Sequence, residues 1–172
     1  MSGHSRALEE VPEVSEAPRP DAQAIASRRA ARLAAVQALY QMEMTGSSAA
    51  TATDDLLAGR LPVDDQGVID ADVDSDLFRQ IVEGAVANQS AMDTIIAGKL
   101  ASGWKLERID AVARAILRAG LVELWRRRDV PTPVVISEYI EIAKTFFDGA
   151  EPSFINATLD ACVRSVRDSE PA

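Results

Sequence analysis

Residues 104–128, WKLERIDAVARAILRAGLVELWRRR, carry the strongest periodic pattern in this sequence. From Leu106 to Trp125 the apolar side chains recur at steps of three and one, which places them on one broad face of a helix. Gly120 lies within this face, where glycine costs about 1 kcal/mol relative to alanine. We therefore expect a central helix with a neighbouring helix packed closely at Gly120.

Other segments show the helical period as well. A first helix is predicted from about Ser27, a suitable N-cap residue, to Met44. Its predicted buried stripe is Leu33, Val36, Tyr40 and Met44. Further helices are predicted in residues 51–60, 75–89 (with Leu77, Phe78, Ile81, Val82, Ala85 and Val86 on one face), 91–100 and 134–147, and from about Ser153 to Arg167. No segment alternates convincingly as a strand, so the expected fold is all-α, a compact bundle of about seven helices.

Composition limits the class of protein. The chain has 172 residues, 47% of them apolar and 5% aromatic, which suits one helical domain. A single cysteine excludes an internal disulfide and fits a reducing compartment. The N-terminus lacks the apolar core of a signal peptide, and no stretch is long enough to span a membrane. We expect a cytoplasmic protein with a disordered acidic tail (1–24), a helical domain (25–168) and a flexible C-terminus (169–172).

Positive charge is concentrated at the start of the first predicted helix. The whole chain has a formal charge of −9, yet residues 28–45 contain Arg28, Arg29 and Arg32 and only one acidic residue. Three- and four-residue spacings place the three guanidinium groups on one side of a helix. One interpretation is a solvated helix start. The other, which the local charge favours, is a phosphate-binding patch, because the arginine fork matches phosphate oxygens.

Two other charged runs have structural explanations. Arg126, Arg127 and Arg128 follow the long helix, where cations complement the helix dipole. Four aspartates resemble a calcium loop, but its sixth position would be Leu77 where an EF-hand needs glycine, so they are better explained as acids at a helix start. These aspartates are Asp70, Asp72, Asp74 and Asp76.

Two phenylalanines are candidate nucleic-acid contacts, because single strands are usually held by stacking as well as by charge. Phe154 is predicted to point away from the apolar stripe of the last helix, on a face shared with Thr158, Ala161 and Ser165. Periodicity alone places Phe146 in the core rather than at the surface.

Catalytic chemistry has little support in these residues. The only histidine is His4, in the tail, and Cys162 lies on an apolar stripe. There is no phosphate-binding glycine motif and no cluster with metal-ligand spacing. The sequence predicts neither an enzyme nor a cofactor or metal.

Five segments in order resemble the NusB family of bacterial transcription antitermination factors over about residues 27–167. They are RRAARLAAVQALYQ (28–41), FRQIVEG (78–84), RAILRAGLVEL (114–124), VPTPVVISEYIEIAK (130–144) and FINATLD (154–160). The resemblance implies a helical domain built from two small bundles, without catalysis. It also implies binding to single-stranded boxA RNA of ribosomal RNA leaders, together with NusE (a ribosomal protein of the small subunit), on the RNA polymerase elongation complex with other Nus factors.

The resemblance also assigns residues. It places RNA contacts at Arg28, Arg29, Arg32, Lys144, Phe146, Phe154 and Asn156. It places Tyr40 toward NusE. Ala113 replaces an acidic residue that can pair with NusE, and Glu107 or Asp110 could substitute for it. Ala30 and Ser153 replace basic residues found in relatives, and Phe147 replaces a common glycine.

Three alternatives stay open on sequence alone. The chain could be a protein-only helical scaffold, or an accessory module of an RNA-modifying enzyme, because a related helical domain precedes an RNA cytosine methyltransferase domain. An exposed part of an apolar stripe could also support a homodimer that masks the arginines.

Overall fold

The structure, a computed structural model, describes residues 22–59 and 72–168. Within these ranges the chain forms helices and no strand, which confirms the all-α prediction. The helices are α1 (Ala22–Thr45), α2 (Ala49–Leu57), α3 (Ser75–Ala87), α4 (Gln89–Lys99), α5 (Ala111–Arg126), α6 (Thr132–Phe146) and α7 (Glu151–Arg167), with a 3₁₀ turn at Leu106–Arg108 before α5. None of the described helices has the length and apolar character that crossing a membrane requires.

Helix α5 is the centre of the domain, as the periodicity predicts. It begins at Ala111 because the Asp110 carboxylate accepts hydrogen bonds from the backbone N–H groups of Val112 and Ala113, at 2.8 and 3.3 Å. A Cβ atom at Gly120 would lie 3.1 Å from a methyl carbon of Leu159 on α7. The close helix contact expected at Gly120 is therefore confirmed.

Two groups of helices share α5. On one side α1, α2 and α3 pack together, and on the other α4 and α6 each pack on α7. A smaller contact between α1 and α6 joins the two groups along one edge. This arrangement confirms the two small bundles that the family resemblance implies, and the α1–α6 edge positions the candidate site.

Helix α1 begins earlier than predicted. Ser27 is not its N-cap, because the helix starts at Ala22 and Ser27 lies inside it. The backbone carbonyl of Ser27 accepts a hydrogen bond from the Asp74 N–H at 3.2 Å, which ties α1 to the start of α3. Residues 22–24, assigned to the disordered tail, are therefore helical, and the rest of the tail, His4 included, lies outside the described residues.

The buried face of α1 also differs from the predicted stripe. Val36 is fully buried, but Tyr40 and Met44 are 38% and 52% exposed. The residues that pack inward are mainly alanines, namely Ala31, Ala34, Ala35 and Ala38, followed by Leu39. Small side chains let two helices approach closely, and α1 packs mainly on α3 and α5. The predicted stripe is therefore right for Val36 and for Leu33, which is partly buried against the core, and wrong for Tyr40 and Met44, because the periodic pattern gave weight to the largest apolar side chains.

The shorter elements follow the expectations with small changes. Helix α2 begins two residues before the predicted segment, after Ser48, whose hydroxyl accepts a hydrogen bond from the Thr51 N–H. Asp74 caps α3 by accepting from the Leu77 N–H at 3.0 Å, which agrees with the helix-start interpretation of the aspartates. Asp70 lies outside the described residues. Val86, expected on the buried face of α3, is 45% exposed.

Candidate nucleic-acid interface

Arg28 and Arg29 are available at the surface of α1. The Arg29 side chain is 63% exposed, and its Nε and Nη2 donate to the Glu138 carboxylate of α6 at 3.1 and 3.2 Å. Arg28 is partly exposed and has no hydrogen-bond or ion-pair partner among the described residues. An exposed ion pair such as Arg29–Glu138 contributes little to stability. The Arg29 guanidinium can therefore bind a phosphate, either in place of Glu138 or beside it.

Arg32 does not lie with the other two arginines at the surface. Its side chain is only 5% exposed, and it donates from Nε and Nη2 to the two carboxylate oxygens of Glu123 on α5, at 2.9 and 2.7 Å. The prediction that all three guanidinium groups form one solvent-facing patch is wrong for Arg32. The charge of Glu123 within the apolar stripe of α5 was a sequence signal for this buried pair, because a buried charge needs a partner.

The buried pair is part of a small network. The Tyr139 hydroxyl of α6 donates to Glu123 at 2.7 Å, and Glu138 lies 3.8 Å from Arg32. Burial acts to lower the pKa of Arg32, but hydrogen bonding to Glu123 and its charge outweigh burial, so the pKa is raised. Burial and the neighbouring Glu123 raise the pKa of Tyr139 well above its ordinary value. The network joins α1, α5 and α6 and supports Glu138 beneath Arg29.

A shallow groove lies further along the edge formed by α1 and α6. It has a volume of about 380 Å³ and is lined by Gln37, Tyr40 and Gln41 of α1, Val112 of α5 and Phe146 of α6. Phe146 is 40% exposed, so the core placement favoured by periodicity is wrong. The side-chain oxygen of Gln37 is buried and has no hydrogen-bond partner among the described residues. Tyr40 and Phe146, predicted to meet different partners, thus line one groove.

The remaining predicted RNA contacts lie at the ends of α6 and α7. Lys144 is exposed and pairs with Glu141 at 3.1 Å, and Asn156 is exposed. Phe154 is only partly exposed, because its ring packs against Trp104. Thr158, expected on an outward face with Phe154, is buried and donates to the Phe154 carbonyl at 2.8 Å.

The residues predicted to contact NusE differ in how accessible their side chains are. Tyr40 and Glu107 are exposed. Asp110 is exposed too, but one of its carboxylate oxygens already caps α5. Ala113 is buried, so the side chain at this position does not reach a partner surface.

The second arginine cluster, Arg126 to Arg128, lies at the C-terminal end of α5 and contacts neighbouring groups there. The Arg126 guanidinium lies 4.5 Å from the ring centre of Trp125. Arg128 donates to the Val166 carbonyl at 2.9 Å, and Arg167 donates to the Val130 carbonyl at 2.9 Å. These contacts agree with the structural interpretation of this cluster.

No group of histidine, cysteine, aspartate and glutamate side chains in residues 22–59 and 72–168 could hold a metal ion. Cys162 is buried in the core, as predicted, and burial raises the pKa of its thiol to about 11. A thiol with so high a pKa is a poor nucleophile at neutral pH.

Comparison with known proteins gives consistent results. A family model described as the NusB family matches residues 29–164. The transcription antitermination protein NusB of Caulobacter vibrioides is 51% identical over 144 residues, which are 84% of this chain and 97% of that protein. A structure of T. maritima NusB is 28% identical with a TM-score of 0.64, over 84% of this chain and 93% of that one. A crystal structure of antitermination factors NusB and NusE in complex with dsRNA has a TM-score of 0.65 at 20% identity, over 80% and 96% of the two chains, and shows a similar fold.

Proposed function

The chain belongs to the NusB family, and from this premise we propose that it is a non-enzymatic transcription antitermination factor. It binds single-stranded boxA RNA of ribosomal RNA leaders together with NusE, and it acts in the cytoplasm on elongating RNA polymerase. The solved structure of NusB and NusE in complex with dsRNA, which has a similar fold, supports NusE and RNA as classes of partner.

The observation that carries the proposal is the edge formed by α1 and α6. Near its start, Arg29 contacts Glu138, and further along both helices Tyr40 and Phe146 line one groove. Arg29 and Tyr40 are eleven positions apart, which corresponds to about 16 Å of helix. Exposed cations and an exposed aromatic ring therefore follow one another on a rigid surface, which suits a single strand held by phosphate contacts and stacking.

Each side chain has a separate task in this proposal. Arg28 and the free edge of Arg29 bind phosphates, and Lys144 can bind another after leaving Glu141. The ring of Phe146 supports an unstacked base, and the Asn156 amide offers hydrogen bonds to a base edge. Arg32 contacts no phosphate and instead holds α1, Glu123 and Glu138 in place.

Because Tyr40 and Phe146 share a groove, the RNA and NusE meet at neighbouring positions. Two partners bound to one rigid domain raise each other's effective concentration. RNA binding by this acidic chain is therefore expected to strengthen when NusE is present. In this way the protein tethers the nascent RNA near polymerase and opposes pausing or termination.

The proposal is tested by reversing the charges of Arg28 and Arg29. The double variant Arg28→Glu, Arg29→Glu should weaken boxA RNA binding at least tenfold in a mobility-shift assay, with and without NusE, because two phosphate contacts become repulsive. Helicity measured by circular dichroism should not change, since both side chains are at the surface. Arg32 is left intact because its replacement would disturb the fold.

The matched control is Lys99→Glu, Arg164→Glu, which changes the net charge equally. Both of these residues are exposed and lie on α4 and α7, on neither of the helices that form the α1–α6 edge. This control should retain most of the RNA affinity. Equal losses of RNA affinity in the two double variants would show that only total charge matters, and the assigned surface would be wrong. Absence of RNA binding by the native chain in both conditions would favour a protein-only scaffold.

A further inference from the structure

Trp104 is an exposed aromatic residue that the sequence did not single out. It lies in the loop between α4 and the 3₁₀ turn, and 60% of it is exposed in a chain that is only 5% aromatic. Its ring centre lies 6.2 Å from that of Phe154 on α7, with the two planes tilted by 31°. This distance is typical of a favourable aromatic pair. Trp104 is therefore held in place on one side while the rest of the ring faces solvent.

The spacing of the two rings decides how a base could bind there. A base inserted between two rings needs a ring separation of about 7 Å, which is twice a carbon–carbon contact distance. At 6.2 Å and with a tilt, Trp104 and Phe154 already contact each other and leave no such gap. A base can stack only on the outer face of Trp104. Phe154, which is partly buried, then supports Trp104 from beneath.

Polar groups suited to a nucleic-acid strand surround Trp104. It lines an open groove of about 690 Å³ together with Lys105 and with Ser90 and Thr94 of α4. The ammonium group of Lys105, next in sequence, can bind a phosphate beside the stacked base. Asn156, already assigned to RNA, lies two residues after Phe154 and is exposed.

Two carboxylates also line this groove and must be weighed against Lys105. Asp93 pairs with Arg118 through two 2.8 Å hydrogen bonds, so its charge is compensated. Glu107 is exposed and belongs to the surface assigned to NusE. The RNA strand is therefore expected to pass the Trp104–Lys105 side of the groove and to avoid Glu107.

We propose that Trp104 is a nucleobase-stacking residue for single-stranded RNA, supported by Phe154 and assisted by Lys105. This inference rests on the proposed function and extends its RNA surface from the α1–α6 edge to the loop before α5. Stacking on an indole ring does not discriminate strongly between bases, so Trp104 contributes affinity rather than sequence preference.

Tryptophan fluorescence tests the contact directly. The chain has two tryptophans, and the other, Trp125, is only 7% exposed and lies at the opposite end of α5. In the full-length Trp125→Phe variant all tryptophan emission comes from Trp104. Addition of single-stranded boxA RNA should quench this emission and protect it from iodide, whereas the same RNA as a duplex, with its bases stacked internally, should do so much less.

Binding measurements supply the second test. Trp104→Ala should weaken binding to boxA RNA about tenfold, within the range measured for loss of one base–aromatic stack. Trp104→Phe keeps an aromatic face and should stay within about threefold of the native chain. Leu57→Ala removes a similarly exposed apolar side chain on α2 and should have no effect on RNA binding. Circular dichroism checks that each variant is folded.

The outcomes separate this inference from the proposed function. If Arg28→Glu, Arg29→Glu abolishes RNA binding while Trp104→Ala binds normally and Trp104 emission is unchanged by RNA, the stacking role is overturned and the proposed function stands. If NusE alone quenches Trp104, and Trp104→Ala weakens only NusE binding, Trp104 is a protein contact and the inference is overturned. If the native chain binds no RNA at all, both conclusions fail.

Discussion

Arg32 shows how strongly one tertiary contact can change a residue's role. Its spacing from Arg28 and Arg29 places it on the same side of α1, yet the approach of α5 brings Glu123 against it and water is excluded from both side chains. A buried guanidinium with two carboxylate bonds is held by the fold and is not available to a phosphate. Among the three arginines, the exchangeable charges are therefore those of Arg28 and Arg29.

We expect Arg32→Ala to lower the free energy of unfolding by about 3–5 kcal/mol, because it leaves the buried Glu123 carboxylate with one fewer partner. Arg29→Ala, which removes an exposed ion pair with Glu138, should lower it by less than about 1 kcal/mol. Urea denaturation of both variants at pH 7 gives the comparison. Similar losses of unfolding free energy in Arg32→Ala and Arg29→Ala would contradict the structural role of Arg32.

At the scale of the elements, glycines mark where helices approach one another. The helical period located Gly120 and predicted its close neighbour, which is Leu159. Gly84 of α3 is a second close contact that the sequence did not reveal, because a Cβ there would lie 2.8 Å from a methyl carbon of Val122 on α5. Gly98 of α4, by contrast, has open space at this position.

Alanine substitutions at Gly98 and Gly84 should therefore change the free energy of unfolding in opposite directions. Gly98→Ala should stabilise the protein by about 0.5–1 kcal/mol through its better helix propensity. Gly84→Ala should destabilise it by about 1–3 kcal/mol because Val122 must move within a packed core. Gly120→Ala, with a contact of 3.1 Å, should fall between the two. Thermal or urea unfolding of the three variants measures the order, and a stabilising Gly84→Ala would contradict the packing of α3 on α5.

At the scale of the whole molecule, a chain of charge −9 exposes only a small cationic region to RNA. Each phosphate neutralised on a single strand contributes about −0.7 to the slope of log affinity against log salt. Three arginines would give a slope of about −2, but the structure leaves Arg28 and Arg29, which by themselves give about −1.4. Lys144 and Lys105 are also assigned to phosphates, and with them the expected slope is about −2.8.

Fluorescence anisotropy with labelled boxA RNA over a potassium chloride series measures this slope. Arg29→Gln should reduce its magnitude by about 0.7, because one phosphate contact is lost. A slope near about −1.4 in the native chain would show that Lys105 and Lys144 bind no phosphate and would contradict their assigned roles.

Several features of this protein can be derived from its amino-acid order. Helical periodicity located α5 as the central helix and excluded a sheet, and ordered motifs indicated the family. These features are local, since they depend on residues a few positions apart. Local spacing reports which face of a helix is apolar and where a helix is interrupted.

Contacts between distant segments had to come from the folded chain. Arg32 and Glu123 are 91 positions apart, and no helical pattern pairs them. The alanine face of α1 became the buried one because α3 and α5 approach closely enough to exclude water there. Trp104 gained a candidate role because folding places it against Phe154. Periodicity orients each helix about its own axis, but only packing determines which side chain lies opposite and whether water can reach it.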